Sequence, residues 1–283
     1  MGIKIFDVED IFSYVRAHFH CDLNKLNMVE LGEQEFKILK TELDNEVIKD
    51  YLAINPRKWP TKCNKNRIGL YSKDYFNHFF YEASCIDIKC NCKKTLKLNL
   101  CNDLNLGKTY DVLTNFGTTE HVGEIDDAFE NVQYSAFKNI HTLIKKNGIA
   151  FNVVPAQIKN NVVHGAFNYT CDFFENLAKL CRYKVVYNKI KKRGSIYHVY
   201  CYFIKNEEND FITEEEFMSL RPYLFTTENI KSNPKKYFEG YTGRWTPRRW
   251  IARFCGSVSG RHVDGHYQCG ALHTFISASK LSI

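Results

Sequence analysis

The sequence predicts an α/β protein, a three-layer αβα sandwich around a seven-stranded, mostly parallel sheet with an irregular C-terminal extension. Three observations predict it. Short apolar, β-branched runs alternate with segments of helical spacing along most of the chain. Val112-Leu113-Thr114 ends abruptly in Asn115-Phe116-Gly117, as a buried strand does when it delivers its C-terminal end into a polar turn. The 283 residues are 44% hydrophobic and 14% aromatic, enough for one large core.

The elements follow in order. Ile5, Val8, Ile11, Phe12, Val15 and Phe19 recur at helical spacing and predict an amphipathic helix within residues 1–21. Leu26–Leu31 reads as the first strand and stops at Gly32. Glu35–Leu52 is helical in pattern until Pro56 and Pro60 break it, and residues 55–70 form a basic, polar loop. The stretch of about 37–70 is thus an insertion. Asp74–Tyr81 is a second, aromatic helix; Ala83–Ile88 and Leu96–Leu100 are strands, the latter followed by the turn Asn102-Asp103-Leu104-Asn105. After the strand ending at Phe116, Thr118 or Thr119 is placed to cap a helix. Ala136–Lys146 is a helix stopped by Asn147-Gly148, Ile149–Pro155 a strand, and Cys171–Leu180 a helix. Lys184–Tyr187 and Tyr197–Ile204 are the last strands, and Thr213–Glu216 starts a short capped helix. This divides the chain into an N-terminal helix (1–21), a main domain (22–205) and an extension (206–283).

Composition excludes several classes. No run of 18 apolar residues occurs, so no spanning helix is expected. The first residues are too acidic for a secretion signal, and Phe6 stands where a myristoylation site needs Ser or Thr. The 11 cysteines are odd in number; Cys85, Cys101, Cys171, Cys181 and Cys201 lie in apolar runs and are expected to be buried thiols in a reducing cytoplasm. Residues 231–283 hold nine Lys or Arg against two acids, which accounts for the whole formal charge of +7. Arg244, Arg248, Arg249 and Arg253 alternate there with Trp245, Trp250 and Phe254, a pattern able to clamp phosphates and stack on bases. Residues 231–261 are therefore the candidate nucleic-acid contact.

Two polar signatures are more specific than the strand–helix alternation. Phe116-Gly117-Thr118-Thr119-Glu120-His121-Val122 follows one strand, and His164-Gly165-Ala166-Phe167-Asn168-Tyr169 follows the next. Over residues 22–205 the chain resembles class I S-adenosylmethionine-dependent methyltransferases, in particular a subgroup with "FGTTEHV" and "HGFFNY" at these places. Met28-Val29-Glu30-Leu31-Gly32 corresponds to that family's "VLELG" strand. The resemblance implies S-adenosylmethionine as cofactor and methyl transfer to an O or N acceptor.

Methyl transfer from a sulfonium rests on in-line positioning and exclusion of water, so a cofactor cradle is expected rather than a catalytic triad. Glu30 and Gly32 would supply a strand end whose backbone approaches the cofactor closely. Gln34 matches the subgroup, although Gly32-Glu33-Gln34-Glu35 has fewer glycines than many relatives carry. Asp87 would accept hydrogen bonds from ribose hydroxyls. By resemblance, Asp103 bonds the adenine amino group and Leu104 contacts the ring. Asn115 and Phe116 sit at the strand end where the sulfonium should lie. Thr118, Thr119, Glu120, Asn168 and Tyr169 would face the acceptor, with His121 and His164 as candidate bases. No Asp-Pro-Pro-Tyr, Asn-Pro-Pro-Tyr or Pro-Cys motif occurs, which disfavours exocyclic adenine or glutamine amines and cytosine C5 as acceptors.

No metal is expected in this cradle. Cys255, His262, His266 and Cys269 form a denser cluster, but Gly260 and Gly265 interrupt any helix that would align the two histidines. The thin glycine turn leaves an alternative: an inactive methyltransferase-fold binding protein that holds nucleic acid through its basic tail. If the tail binds nucleic acid, affinity should fall steeply with salt as counterions are released. It should also vanish from a chain cut near residue 230; equal affinity of the full and shortened chains in a filter-binding titration would rule the tail out.

Overall fold

The structure is a computed structural model and describes residues 2–39, 49, 67–88, 95–123, 129–158 and 164–226. The chain divides into two compact units, Met1–Tyr237 and Phe238–Ile283, and the second lies outside the described residues. The elements of the first are α1 (Ile5–Phe19), β1 (Asn27–Leu31), β2 (Glu35–Leu39), β3 (Arg67–Tyr71), α2 (Ser72–Phe79), β4 (Glu82–Ile86), β5 (Thr95–Leu96) and β6 (Tyr110–Phe116). They continue with α3 (Phe129–Leu143), β7 (Ile144–Pro155), β8 (Phe167–Tyr169), α4 (Cys171–Cys181), β9 (Tyr183–Arg193), β10 (Ile196–Lys205), α5 (Glu214–Met218) and β11 (Leu224–Thr226).

Seven strands form one sheet in the order β5-β4-β1-β6-β7-β10-β9. β5, β4, β1, β6 and β7 pair in parallel, and β10 runs antiparallel to both β7 and β9. Side chains alternate across the sheet as strand geometry requires. Met28, Val112, Phe151 and Val153 meet Val8, Ile11, Phe12 and Val15 of α1 and Tyr75 and Phe76 of α2. Val29, Leu31, Leu113 and Val154 meet Phe137 and Ile140 of α3 and Phe173, Phe174 and Leu177 of α4. The three layers and the Rossmann-like, doubly wound sheet expected from the sequence are present. Ile212, Phe217 and Leu220, from the start of the expected extension, belong to the α3–α4 core.

Several local expectations are corrected. Glu35–Leu39 is a strand, not the start of a helix, because its backbone pairs antiparallel with β3, Phe36 opposite Leu70 and Ile38 opposite Ile68. Leu96–Leu100 keeps only its first residue in a strand. α3 ends at Leu143, and Asn147, at φ 63°, belongs to a bulge in β7 rather than to a helix cap. Ile144 pairs with Tyr110 and Ile149 with Val112, so the Asn-Gly pair absorbs extra residues in that strand. Cys85, Cys181 and Cys201 are buried, whereas Cys101 and Cys171 are only half-buried.

α1 is fastened to the far edge of the sheet by buried charge. Arg193 on β9 donates to Asp7 and to the Gly2 carbonyl, and Tyr200 donates to Asp7 at 3.2 Å. Both ion-pair side chains are almost wholly buried, at 3% and 0% exposure. Removing one partner of such a pair strands the other charge, so Asp7→Ala should cost about 3–5 kcal/mol in urea denaturation. The double variant Asp7→Leu/Arg193→Met should recover most of that loss; equal instability of the single and double variants would refute the assignment.

Candidate active site

The connections from β1 lead to β4 and β5 on one side and return to β6 on the other. The gap between the C-terminal ends of β1 and β6 is thus the topological switch point, where open α/β sheets bind ligands. Two turns meet there. Gly32 follows β1 at φ 73° and donates its N–H to the Ile86 carbonyl at 2.7 Å; Gly117 follows β6, also at φ 73°. A Cβ at Gly32 would stand 2.3 Å from Thr118 Oγ1, so the residue must be glycine for Thr118 as well as for its backbone angle. Thr118 does not cap a helix: its hydroxyl donates to the Leu31 carbonyl at 2.6 Å, and Thr119–His121 is a single 3₁₀ turn. Gln34 Nε2 reaches the Gly32 carbonyl at 3.3 Å and Thr118 Oγ1 at 3.4 Å, joining the two turns.

On the β4 side, Asp87 Oδ2 accepts the Glu33 N–H at 2.7 Å and so sits against the Gly32 turn. Glu30 is fully buried, and its Oε1 accepts the Ser72 hydroxyl at 2.7 Å. Burial pushes its carboxyl up to about 8, against the pull of Ser72 and Lys73. Glu30 and Thr114 are register neighbours on β1 and β6, and Glu30 Oε2 and Thr114 Oγ1 are both buried without a protein partner. Lys73 is buried and donates to Glu33 and to Thr95. Ser72, Lys73 and Thr95 were not legible as site residues, since their partners lie 22–42 positions away along the chain. Asp103 stands apart: it is exposed and bonds Lys138 at 2.6 Å. Leu104 is buried, and its N–H is held by Asn139 Oδ1 at 2.8 Å.

On the β6 side the polar residues bind one another. Asn115 Nδ2 donates to Thr119 Oγ1 at 3.0 Å and Asn152 Oδ1 at 3.1 Å, and its Oδ1 accepts the Thr119 N–H. Phe116 points into the α1-side core. Tyr169 is fully buried in the opposite core and donates to Gln133 Oε1 at 2.7 Å; Gln133 in turn donates to the Thr119 carbonyl at 2.8 Å. Asn168 is buried, with no protein partner for its Nδ2. His121 and His164 converge, Nε2 to Nε2, at 3.3 Å with their rings at 90°. The carboxylate of Glu120 stands beside them, 3.8 Å from His121 Nε2. His141, by contrast, is structural, bonded to Tyr183 and the Asn209 carbonyl. Cys255, His262, His266, Cys269 and the Arg–Trp segment lie outside the described residues.

No protein-family model matches the chain, and no curated protein matches it. Among solved structures it is similar to the 1,6-didemethyltoxoflavin-N1-methyltransferase of Burkholderia thailandensis, solved with S-adenosylhomocysteine, at 11% identity over 71% of this chain and 84% of that one, with a TM-score of 0.42. The N-methyltransferase NodS of Bradyrhizobium japonicum WM9 gives 9% identity, 72% and 89% coverage and a TM-score of 0.39. The magnesium protoporphyrin IX methyltransferase of Synechocystis gives 10%, 70% and 77%, and 0.36. No helix among the described residues is long and apolar enough to cross a membrane.

The raised Glu30 carboxyl has a consequence for stability. The fold favours its neutral form, so its contribution is full below the ordinary value of 4.5 and is lost as pH rises through about 8. Glu30→Gln keeps a partner for Ser72 and cannot ionise. Its denaturation midpoint should therefore fall less between pH 6 and pH 9 than that of the parent, by on the order of a few kcal/mol. Parallel pH profiles of the two proteins would contradict the neutral carboxyl.

Proposed function

We propose that the protein transfers the methyl group of S-adenosylmethionine to an O or N acceptor at the switch point between β1 and β6. The observation that supports this best is the joining of Asp87 to the Gly32 turn through the Glu33 N–H. An acid at a strand end beside a tight glycine turn is the arrangement that holds a ribose in dinucleotide folds. The two polar signatures add the family resemblance. The residues fit a nucleoside ligand in a second respect, because Glu30 Oε2 and Thr114 Oγ1 are buried polar atoms that lack a protein partner.

When bound, the cofactor supplies an electrophilic methyl group on a sulfonium. The chain's own residues would do the rest. Asp87 binds the ribose, and Gly32, Glu30 and Gln34 shape the adjoining wall. Leu104, with its backbone fixed by Asn139, is the ring contact that the resemblance implies, and Asp103 must exchange Lys138 for the adenine amino group to take its part. Asn115 and Phe116 position the strand end. Both donors of Asn115 are engaged with Thr119 and Asn152, so it acts by holding the turn rigid. Thr118, Thr119, Asn168 and Tyr169 line the acceptor side, Thr119 and Tyr169 from beneath. His121 and His164 stand where the acceptor must lose its proton and promote that loss.

Calorimetry with S-adenosylhomocysteine tests the cradle. Binding is expected, and Asp87→Ala should weaken it by about 1–3 kcal/mol, the range for losing a buried polar partner. No heat from the folded protein at millimolar ligand would remove the methyltransferase reading. Once an acceptor is found, His164→Ala should lower turnover by about 10²-fold or more with cofactor affinity nearly unchanged. A variant with parental turnover would show that His164 has no part in that loss.

A further inference from the structure

We propose that Glu120, His121 and His164 bind one divalent metal ion of the zinc class, with a coordination position left open toward the acceptor. One ligand atom from each of the three lies within 4.8 Å of the other two. The spacing fits the ion. Two imidazole nitrogens bound at ~2.0–2.1 Å with tetrahedral angles stand ~3.3–3.4 Å apart. The two Nε2 atoms are 3.3 Å apart, and a Glu120 carboxylate oxygen lies 3.8 Å from His121 Nε2 and within 4.8 Å of the His164 ligand atom, so it must move inward to share the ion. Without a cation, one Nε2 must donate to the other, which fixes opposite tautomers; a cation lets both act as acceptors with their Nδ1 atoms protonated.

Charge and backbone point the same way. The Glu120 side chain is fully buried, and a carboxylate there gains from a positive ion beside it. The ligands are brought together by backbone contacts, not by chance rotamers. The Ala166 N–H donates to the Glu120 carbonyl at 2.7 Å, and the His121 N–H to the Thr118 carbonyl at 3.0 Å. Gly165, at φ 79°, packs so closely that a Cβ would lie 2.6 Å from Glu120 Cγ. Only glycine lets the His164 segment approach this near. The His121 side chain is 36% exposed, so an ion and an outer ligand have access. Two imidazoles and one carboxylate form a borderline donor set, suited to Zn²⁺ and neighbouring first-row ions and poor for Ca²⁺ or Mg²⁺. Metal binding stands on this geometry alone. Its use rests on the methyltransferase reading: a bound ion would lower the pKa of an acceptor hydroxyl or amine placed opposite the methyl donor.

The test is a titration of the metal-stripped full-length protein with Co²⁺, followed by displacement with Zn²⁺. One equivalent should give visible d–d bands with no thiolate charge-transfer band, which separates this site from any cysteine-containing one. His164→Ala should weaken that uptake by ~10²-fold or more, since even residues that only support a ligand are worth 10–100-fold. Glu120→Gln should weaken it too, which guards against misfolding of a single variant, and His262→Ala/His266→Ala should leave it intact. No uptake by the folded protein at millimolar Co²⁺, or d–d bands unchanged in His164→Ala, overturns the site. S-adenosylhomocysteine binding measured on the same sample keeps the two readings apart. Metal uptake without it removes the methyltransferase reading and leaves the metal site; its binding without metal uptake does the reverse.

Discussion

The Thr118 hydroxyl on the Leu31 carbonyl is the contact from which the site is built. Parallel strands β1 and β6 keep register up to Leu31 and Asn115, beyond which the chain turns away from β1 at Gly32. Thr118 ties the two strand ends together there. It demands a residue without a Cβ at position 32, and the positive φ that glycine then adopts turns the Gly32 N–H onto Ile86. That turn aims the Glu33 N–H at Asp87. One hydroxyl thereby couples three strand ends, and the acid that follows β4 is held relative to the turn that follows β6.

Beyond that contact the site is a polar network set into two apolar faces. Asn115, Asn152, Thr119, Gln133 and Tyr169 form a chain of hydrogen bonds reaching from β6 through α3 to β8. Their side chains are almost wholly buried, so each bond is strong and each missing partner costly. Such a network specifies one arrangement of the 115–121 turn, whereas apolar packing alone would tolerate several. Rigidity at this point suits a reaction that depends on alignment. It also explains why residues that look reactive in the sequence, Asn115 and Tyr169, are engaged in structure while Glu120, His121 and His164 form the cluster at the margin.

The sheet was legible in the sequence because short apolar runs such as Met28-Val29, Val112-Leu113 and Val153-Val154 stop at glycine, proline or a polar turn. α1 was legible because its apolar positions keep one period from Ile5 to Val15. The misread elements had ambiguous periods. Glu35–Leu39 satisfies strand alternation and helical spacing equally well, and only a partner thirty residues later decides between them. The Asn-Gly pair at 147–148 is a stop signal that serves equally as a bulge. In the site, Gly32, Asp87, His121 and His164 could be named from strand ends and signatures. Their meetings could not. The contact of Lys73 with Glu33 spans 40 residues, and that of His121 with His164 spans 43. No local pattern encodes a distance that depends on how far two loops travel before they meet.

The two sides of the switch point also differ in how they manage buried acid. On the β4 side Glu30 has one hydroxyl donor and a neighbouring lysine whose ammonium is already committed to Glu33 and Thr95. Burial therefore prevails, and the carboxyl stays neutral at pH 7. On the β6 side Glu120 lies beside two imidazoles, groups whose nitrogens can bind cations. In the proposed methyl transfer, a neutral acid would receive a cationic sulfonium without holding it too tightly, because a full negative charge there would stabilise the bound donor more than the transition state, in which the positive charge has begun to disperse. In the same proposal, an acid beside imidazoles would suit the side where the acceptor loses its proton. The same residue type, buried on both sides of one switch point, thus meets a hydroxyl and a committed lysine on one side and two imidazoles on the other.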